Sequence, residues 1–269
     1  TWFPDFINEN SFRTLRDDWN TNVVRLAMYV DEWGNGQCYM KNKDGSRQLL
    51  EKGVDICIKL GMYVIIDWHV LNPGDPTAYT DEAISFFNDI SKKYADYPNI
   101  IYEIVNEPNG NATWGGVIKP YAEKVIPVIR KNDKDAVIIV GTPTWSQDID
   151  QALADPLDFD NVMYALHFYA ATHTDWLRER TEKCVAGGLP IFVSEFGCCD
   201  ASGNGGNDFG QTEKWLKLLD KYGISYCNWN LANKNESSSC FRESAKADGN
   251  WSDSDYSEGG AWIRKWFRN

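Results

Sequence analysis

Two glutamates, Glu107 and Glu195, stand directly after apolar, strand-like runs: Glu107 in IIYEIVNEP and Glu195 in PIFVSEFG. They lie far apart in the sequence, so a barrel whose strand ends converge at one rim would bring them to one point. Two carboxyl groups at such a point are typical of glycoside hydrolases, in which one group protonates the leaving oxygen and the other attacks the sugar carbon. Either glutamate alone is typical of a solvated loop, but the flanking Asn106 and Pro108 and the aromatic surroundings favour the catalytic interpretation.

The helices and strands that would hold these glutamates are indicated by the sequence, in which short β-branched runs alternate with amphipathic stretches. Apolar residues recur at helical spacing in segments 46–61, 81–96 and 211–223, which predicts helices. The runs between them predict seven strands, at residues 22–30, 62–70, 99–107, 136–142, 161–169, 190–197 and 223–231.

Strands that alternate with helices indicate an α/β fold with a parallel sheet. A doubly wound sheet and a (β/α)8 TIM barrel both fit this alternation. No GxGxxG or GxxxxGKS motif follows the first strand, and polar residues cluster at the carboxyl ends of many strands. The barrel is favoured because it places its active site at that rim. We expect residues 1–269 to form a single domain.

Composition narrows the classes of partner. The chain has 269 residues and a net charge of −12, which disfavours phosphate backbones and anionic lipid surfaces. No long uncharged apolar stretch predicts a membrane span. The twelve tryptophans suit flat sugar faces, although tryptophan also fills protein cores. We therefore expect neither a nucleic acid nor a membrane as a partner.

Metal and cofactor chemistry finds little support in the sequence. The three histidines show no HExxH spacing, and the seven cysteines show no CxxC spacing. An odd number of cysteines leaves at least one thiol unpaired within the chain. We expect no metal and no cofactor in the reaction, with a surface calcium ion left open.

Polar or aromatic side chains mark six of the predicted strand ends: Arg25, Tyr29, His69, Asn106, His167, Tyr169, Glu195 and Trp229. Arg25 lies inside an apolar strand and needs an anionic partner, because an unpaired buried charge is costly. The candidates are Asp67, Glu103 and Glu195. Arg25 fits a structural ion pair and a direct electrostatic role equally well, and the two are compatible. A single histidine on a strand is more often a core residue, but two of only three at strand ends favour the site.

Taken together, the stretches VNEP, SEFG, VVRLAMY, IIDWH, ALHFYAATH and NWNLANKNESS resemble glycoside hydrolase family 5, and most of all its bacterial endo-β-1,4-glucanase branch. The resemblance runs in order over almost the whole chain. It implies a retaining mechanism, with Glu107 as acid/base and Glu195 as nucleophile. It assigns to the surroundings of the scissile sugar Arg25, His69, Asn106, His167, Tyr169 and Trp229. It assigns to the glucan cleft Trp2, Phe3, Tyr29, Trp145, Ala201, Ser202, Lys234 and Glu236.

The resemblance also implies that the barrel's first strand is missing from this sequence. Residues 1–4 match the loop that follows the first strand in the family, and SFRTLRDDW matches the first helix. An open seven-stranded barrel would leave two unpaired edges, so we expect an upstream strand in the native protein. The sequence begins at Thr1 with neither an initiator Met nor a signal-like segment, which is typical of a mature or trimmed chain.

Retaining catalysis needs one carboxyl protonated and the other ionised. Arg25 and the Tyr169 hydroxyl are the groups expected to keep Glu195 ionised. Glu107 has no evident cationic neighbour in the sequence, so partial burial and the second carboxylate should raise its pKa.

Two other functions stay open at this point. A barrel that had lost catalysis would act as a lectin or a structural subunit, but both glutamates are retained. A family 5 hydrolase could also act on mannan, xyloglucan or mixed-linkage glucan. The expectation from the sequence is a secreted, monomeric endo-β-1,4-glucanase whose partner is a β-1,4-glucan, with appended modules possible in the full-length protein.

Overall fold

The computed structural model describes residues 3–31 and 38–269. These residues form seven parallel strands in sequential order. The strands are β1 (Val23–Tyr29), β2 (Tyr63–His69), β3 (Ile100–Glu103), β4 (Val137–Val140), β5 (Val162–Tyr169), β6 (Ile191–Gly197) and β7 (Tyr226–Asn228). The seven predicted strands and the (β/α)8 architecture are confirmed, although β3, β4 and β7 are shorter than the runs that predicted them.

Helices precede, separate and follow the strands, and the three predicted from periodicity are present, as is the first helix that the resemblance implies. They are α1 (Glu9–Asp17), α2 (Lys43–Leu60), α3 (Thr80–Lys93), α4 (Lys119–Asn132), α5 (Pro143–Ser146), α6 (Ile149–Ala154), α7 (Asp175–Ala186), α8 (Phe209–Tyr222) and α9 (Glu258–Phe267). Short 3-10 turns span Pro4–Phe6 and Pro76–Tyr79, and a π-helical turn spans Trp114–Ile118. Asn42 caps α2 by accepting from the amide of Gly45, and Gly61 ends that helix with a φ of 68°.

Strand alternation divides the core into two layers. Outward-facing side chains such as Ile66 and Trp68 pack against the helices in one large cluster. A smaller cluster of Ile65, Ile139, Ala165 and Phe192 fills the inside of the barrel. The inward positions above this cluster, toward the carboxyl ends of the strands, are polar and form the site.

The barrel is nearly closed, with β1 and β7 facing each other across the remaining gap. A cavity of about 1150 Å³ runs from the rim at the carboxyl ends of the strands into this gap. Its lower part is lined by Leu15, Trp19, Ile263 and Phe267. The eighth strand expected from the sequence stays a prediction.

All seven cysteines lie in the described part of the chain, and all are free thiols. Among the described residues, no helix combines the length and apolarity that a membrane span requires.

Candidate active site

Arg25 on β1 joins three carboxylates beneath the rim. Its guanidinium nitrogens lie 2.9 Å from Asp67 Oδ2, 2.6 Å from Glu103 Oε2 and 2.9 Å from Glu195 Oε2. All three partners proposed from the sequence are therefore present at once. A buried cation shared by three carboxylates offsets the cost of burying each of them and fixes the position of Glu195.

Glu195 on β6 reaches the site through a local irregularity. Between the pairs Ala165–Phe192 and His167–Glu195, two residue steps on β5 match three on β6, a β-bulge. Glu195 Oε1 accepts a hydrogen bond of 2.7 Å from the Tyr169 hydroxyl.

Gly197 makes room for the Tyr169 ring, because a Cβ at this position would lie 2.4 Å from it. Burial raises the pKa of Glu195, but the positive charges of His167 and Arg25 and the Tyr169 hydrogen bond outweigh it. The pKa of Glu195 therefore lies below its ordinary value.

Glu107 lies in the loop after β3, and its side chain is 12% exposed. A close turn holds this loop, because a Cβ on Gly141 would lie 2.6 Å from the carbonyl oxygens of Val105 and Asn106. His167 Nδ1 lies 2.9 Å from Glu107 Oε1, a neighbour of Glu107 that the sequence did not indicate. Burial and then the charge of Glu195 nevertheless raise the pKa of Glu107.

His69 at the end of β2 is held by Asp67, whose Oδ2 lies 2.6 Å from its Nδ1. Burial and then the Arg25 charge lower the pKa of His69 to about 3, so the ring is neutral. Asn106 Oδ1 accepts from Arg25 at 2.7 Å, so its Nδ2 is the atom facing His69 Nε2 at 3.3 Å. The neutral ring therefore carries its proton on Nδ1. Trp229 stacks on the His69 ring with 5.6 Å between centroids.

The carboxyl groups of Glu107 and Glu195 lie close together. One oxygen of Glu107, one of Glu195 and one ring nitrogen of His167 all lie within 4.8 Å of one another. Among the described residues this is the one cluster with the donor set of a metal site. Its groups already bond to each other, to Arg25 and to Tyr169.

Most of the other predicted site residues line the same cavity. Trp145 stands exposed at the rim, on a backbone with a φ of 53°. Lys234 and Glu236 form an ion pair at the cavity wall. The remaining predicted residues that line the cavity are Phe3, Tyr29, Ala201, Ser202 and Trp229. Trp2 lies outside the described residues.

Asn106 is the predicted residue that is placed differently. It is fully buried behind the cavity wall, and its amide bonds to Arg25, His69 and the carbonyl of Val70. The sugar contact expected of it stays a prediction.

Two residues that contact the site were missed from the sequence. Ser194 lies 2.9 Å from His167 Nε2, and His173 Nδ1 accepts from the amide of Tyr169 at 2.8 Å. A signal for Ser194 was present, as the one hydroxyl in the apolar run IFVSEF.

Replacing Arg25 by methionine is expected to lower the free energy of unfolding by about 3–5 kcal/mol, because it leaves Asp67 and Glu103 buried without their cation. Arg47→Met is the matched control, since Arg47 also pairs with two carboxylates but at the surface, where about 0–1 kcal/mol is expected. Denaturant unfolding measures both. Equal losses would show that the Arg25 cluster contributes no more than a surface ion pair.

Comparison with known proteins agrees with this geometry. A sequence model of the cellulases, glycosyl hydrolase family 5, matches residues 1–235. The chain belongs to glycosyl hydrolase family 5. Among its family 5 relatives, it is 44% identical to an endoglucanase of Clostridium saccharobutylicum, over 98% of this chain and 58% of that protein. It is 45% identical to endoglucanase A of Evansella cellulosilytica, over 99% of this chain and 54% of that protein. The chain thus spans a little over half the length of these curated relatives.

Solved structures give the same family 5 assignment. The catalytic domain of a Thermobifida fusca endoglucanase, determined with cellotetraose, superposes with a TM-score of 0.93 at 36% identity, over all of this chain and 88% of that one. A protein from Cytophaga hutchinsonii superposes with a TM-score of 0.95 at 41% identity, over 99% of this chain and 85% of that one.

Proposed function

We propose that the chain is the catalytic domain of a retaining endo-β-1,4-glucanase, with Glu195 as nucleophile and Glu107 as acid/base. The observation that carries this proposal is that one oxygen of each carboxyl group lies within 4.8 Å of an oxygen of the other, and that the two pKa values are moved in opposite directions. Retaining enzymes have carboxyl groups about 5–5.5 Å apart, whereas inverting enzymes need about 6.5–9.5 Å to admit a water molecule.

The relatives support the choice of substrate. Proteins named endoglucanase match nearly the whole chain at 44–45% identity, and a related catalytic domain was determined with cellotetraose. The cavity reaches the rim at the carboxyl ends of the strands, where a glucan chain can enter. The substrate would be a β-1,4-glucan, and water would accept the glycosyl group in the hydrolysis.

In the first step Glu195 attacks the anomeric carbon while Glu107 donates its proton to the departing glycosidic oxygen. The carbon–oxygen bond to the leaving sugar breaks, and an ester bond to Glu195 forms. Arg25 and Tyr169 hold Glu195 as a carboxylate aimed at the cavity. The raised pKa of Glu107 keeps it protonated for this step.

In the second step Glu107, now a carboxylate, takes a proton from a water molecule that attacks the same carbon. The ester bond breaks and Glu195 returns as a carboxylate. Two inversions at one carbon give net retention. Trp229 lies at the cavity wall beside His69, where its ring can stack on the reacting sugar.

Trp145→Ala is expected to weaken the binding of glucan oligomers by about tenfold, while hydrolysis of a short activated aryl glycoside changes little. The ring is 46% exposed at the cavity rim, where it can stack on the leaving-group side of the chain. Trp176→Ala is the matched control, because Trp176 is also 46% exposed but does not line the cavity. The measurements are KM for cellopentaose and for an aryl cellobioside. Equal losses on both substrates would mark Trp145 as a packing residue.

The cellular setting is also a proposal. We propose a secreted monomer that carries further modules in its full-length form, since the curated relatives extend well beyond the matched region. The acidic net charge of −12 fits a neutral polysaccharide as the partner.

One activity panel tests the proposed substrate. Carboxymethyl-cellulose, lichenan, xylan and mannan are offered to the purified protein, and the release of reducing ends is measured together with the fall in viscosity. An endo-β-1,4-glucanase gives a rapid viscosity loss on carboxymethyl-cellulose. Higher activity on mannan would establish another family 5 specificity, and no activity on any of the four would favour the non-catalytic barrel.

A further inference from the structure

A continuous chain of buried hydrogen bonds runs behind the two catalytic glutamates. From Glu107 Oε1 it passes at 2.9 Å to Nδ1 of His167, and from Nε2 of the same ring at 2.9 Å to Ser194 Oγ. Ser194 then bonds at 2.7 Å to Glu103 Oε1. Glu103 is bound through its other oxygen to Arg25, which bonds to Glu195. His167, Ser194 and Glu103 are each at most 1% exposed, so bulk water does not compete for these bonds.

The direction of each proton in this chain follows from the chemistry of its members. Burial raises the pKa of Glu103, but the charge of Arg25 outweighs it and lowers the pKa to about 2, so Glu103 only accepts. Ser194 has a single proton and donates it to Glu103. Its oxygen must then accept from His167, which requires a proton on Nε2.

We propose that Ser194 and Glu103 hold His167 as an imidazolium, whose Nδ1–H is donated to Oε1 of Glu107 and so leaves the acidic proton of Glu107 on Oε2. His167 would then be doubly protonated in the resting enzyme, with a carboxylate-backed hydroxyl on one side and the acid/base on the other. Ser194 and Glu103 are positioning residues, since both are buried and the hydrogen bonds of Ser194 go to His167 and Glu103 rather than to either carboxyl of the catalytic pair. They act on Glu107 through the His167 ring.

The charges around His167 favour this state. Negative groups face it from β3 (Glu103) and from β6 (Glu195), the loop after β3 contributes the protonated carboxyl of Glu107, and β1 contributes Arg25. Asp67 and the neutral His69 of β2 and the Tyr169 hydroxyl on β5 itself complete the surroundings. Burial lowers the pKa of His167, but the hydrogen bonds to Glu103 and Glu107 and the charge of Glu195 outweigh it and raise the pKa.

The role in the reaction rests on the proposed function. When Glu107 gives up the proton on Oε2, the new negative charge appears 2.9 Å from an existing positive charge. That charge lowers the pKa of Glu107, which makes it a stronger acid, and it stabilises the carboxylate that later acts as base. Without the imidazolium the pKa of Glu107 would rise further.

The chain offers a direct test of the charge, because it has only three histidines. Burial lowers the pKa of His69 to about 3 and that of His173 to about 4. Nitrogen NMR of protein labelled with ¹⁵N-histidine should therefore show, at pH 7 and without substrate, one ring with both nitrogens protonated and two neutral rings. The loss of a neutral ring in His173→Gln assigns that signal. Three neutral rings would overturn the proposal, whether or not the protein hydrolyses glucan.

Two variants test the roles of Ser194 and Glu103. In Ser194→Ala and in Glu103→Gln the titration midpoint of the charged ring should fall by about one pH unit or more. Where the midpoint falls below the pH of the alkaline limb of kcat/KM, that limb should move to higher pH, because the pKa of Glu107 rises when its neighbour is no longer charged. Ser91→Ala is the matched control, a fully buried hydroxyl on α3 that bonds to the carbonyl of Phe87.

A merely structural role for Ser194 would lower activity at every pH and leave both the limb and the ring titration unchanged. That outcome in Ser194→Ala would overturn the proposal. If Glu103→Gln fails to fold, Ser194→Ala decides alone, because removing one hydroxyl leaves the ion pairs of Arg25 intact.

Discussion

Replacing Glu195 by alanine is expected to lower kcat on soluble β-1,4-glucan by about 10⁴- to 10⁶-fold, because it removes the proposed nucleophile. Neighbouring carboxylates cannot substitute for it. Asp67 and Glu103 are fully buried beneath the site and are engaged by Arg25. The effect is measured as initial rates on carboxymethyl-cellulose. Near-UV circular dichroism checks that the aromatic side chains keep their tertiary packing.

The folded state of the Glu195→Ala variant is expected to survive, since Arg25 keeps two of its three carboxylate partners. A Tm close to that of the parent protein would show this. Glu195→Gln is the matched variant of almost equal shape and should lose activity to the same extent. A folded Glu195→Ala protein that retained a tenth of the parental kcat would contradict the nucleophile assignment.

Replacing Glu107 by alanine is expected to have an effect that depends on the leaving group. On glucan, whose leaving sugar alkoxide needs a proton, kcat/KM should fall by about 10²- to 10⁴-fold. On a dinitrophenyl cellobioside the first step needs no proton, so kcat/KM should stay within about tenfold of the parent value. The second step still lacks its base, so the glycosyl-enzyme should accumulate as a burst of dinitrophenol.

The matched control for Glu107 is Glu243→Ala, a change at an exposed glutamate away from the catalytic pair, which should leave both substrates unaffected. Equal losses of kcat/KM on glucan and on the dinitrophenyl glycoside would contradict a proton-donating role for Glu107. They would indicate instead that this side chain only shapes the cavity.

Strand positions and the gathering of polar groups at one rim could be predicted from the sequence because they depend on local patterns. Alternation along NVVRLAMYV places Arg25 and Tyr29 on one face, and buried charge alone requires that Arg25 meets carboxylates. The structure shows those partners at 2.6–2.9 Å. The opposed environments of Glu107 and Glu195 likewise follow from two carboxylates sharing one end of a barrel.

Contacts that depend on register between strands could not be predicted in this way. The β-bulge in β6 lets both Ser194 and Glu195 reach the His167 side of the barrel, although strict alternation would send neighbours to opposite faces. The His167–Glu107 bond joins a strand residue to a loop residue, and its existence depends on how the loop turns at Gly141. The burial of Asn106 likewise depends on how this loop turns against Gly141.

The most direct test of the paired roles is chemical rescue by azide, followed by NMR of the glycosyl azide product. In Glu195→Ala, azide should occupy the place of the nucleophile and give the α-glycosyl azide. In Glu107→Ala, azide should attack the covalent intermediate from the opposite face and give the β-glycosyl azide, because no base is needed to activate an anion. Products of one and the same anomer from both variants would contradict the assignment of Glu195 as nucleophile and Glu107 as acid/base.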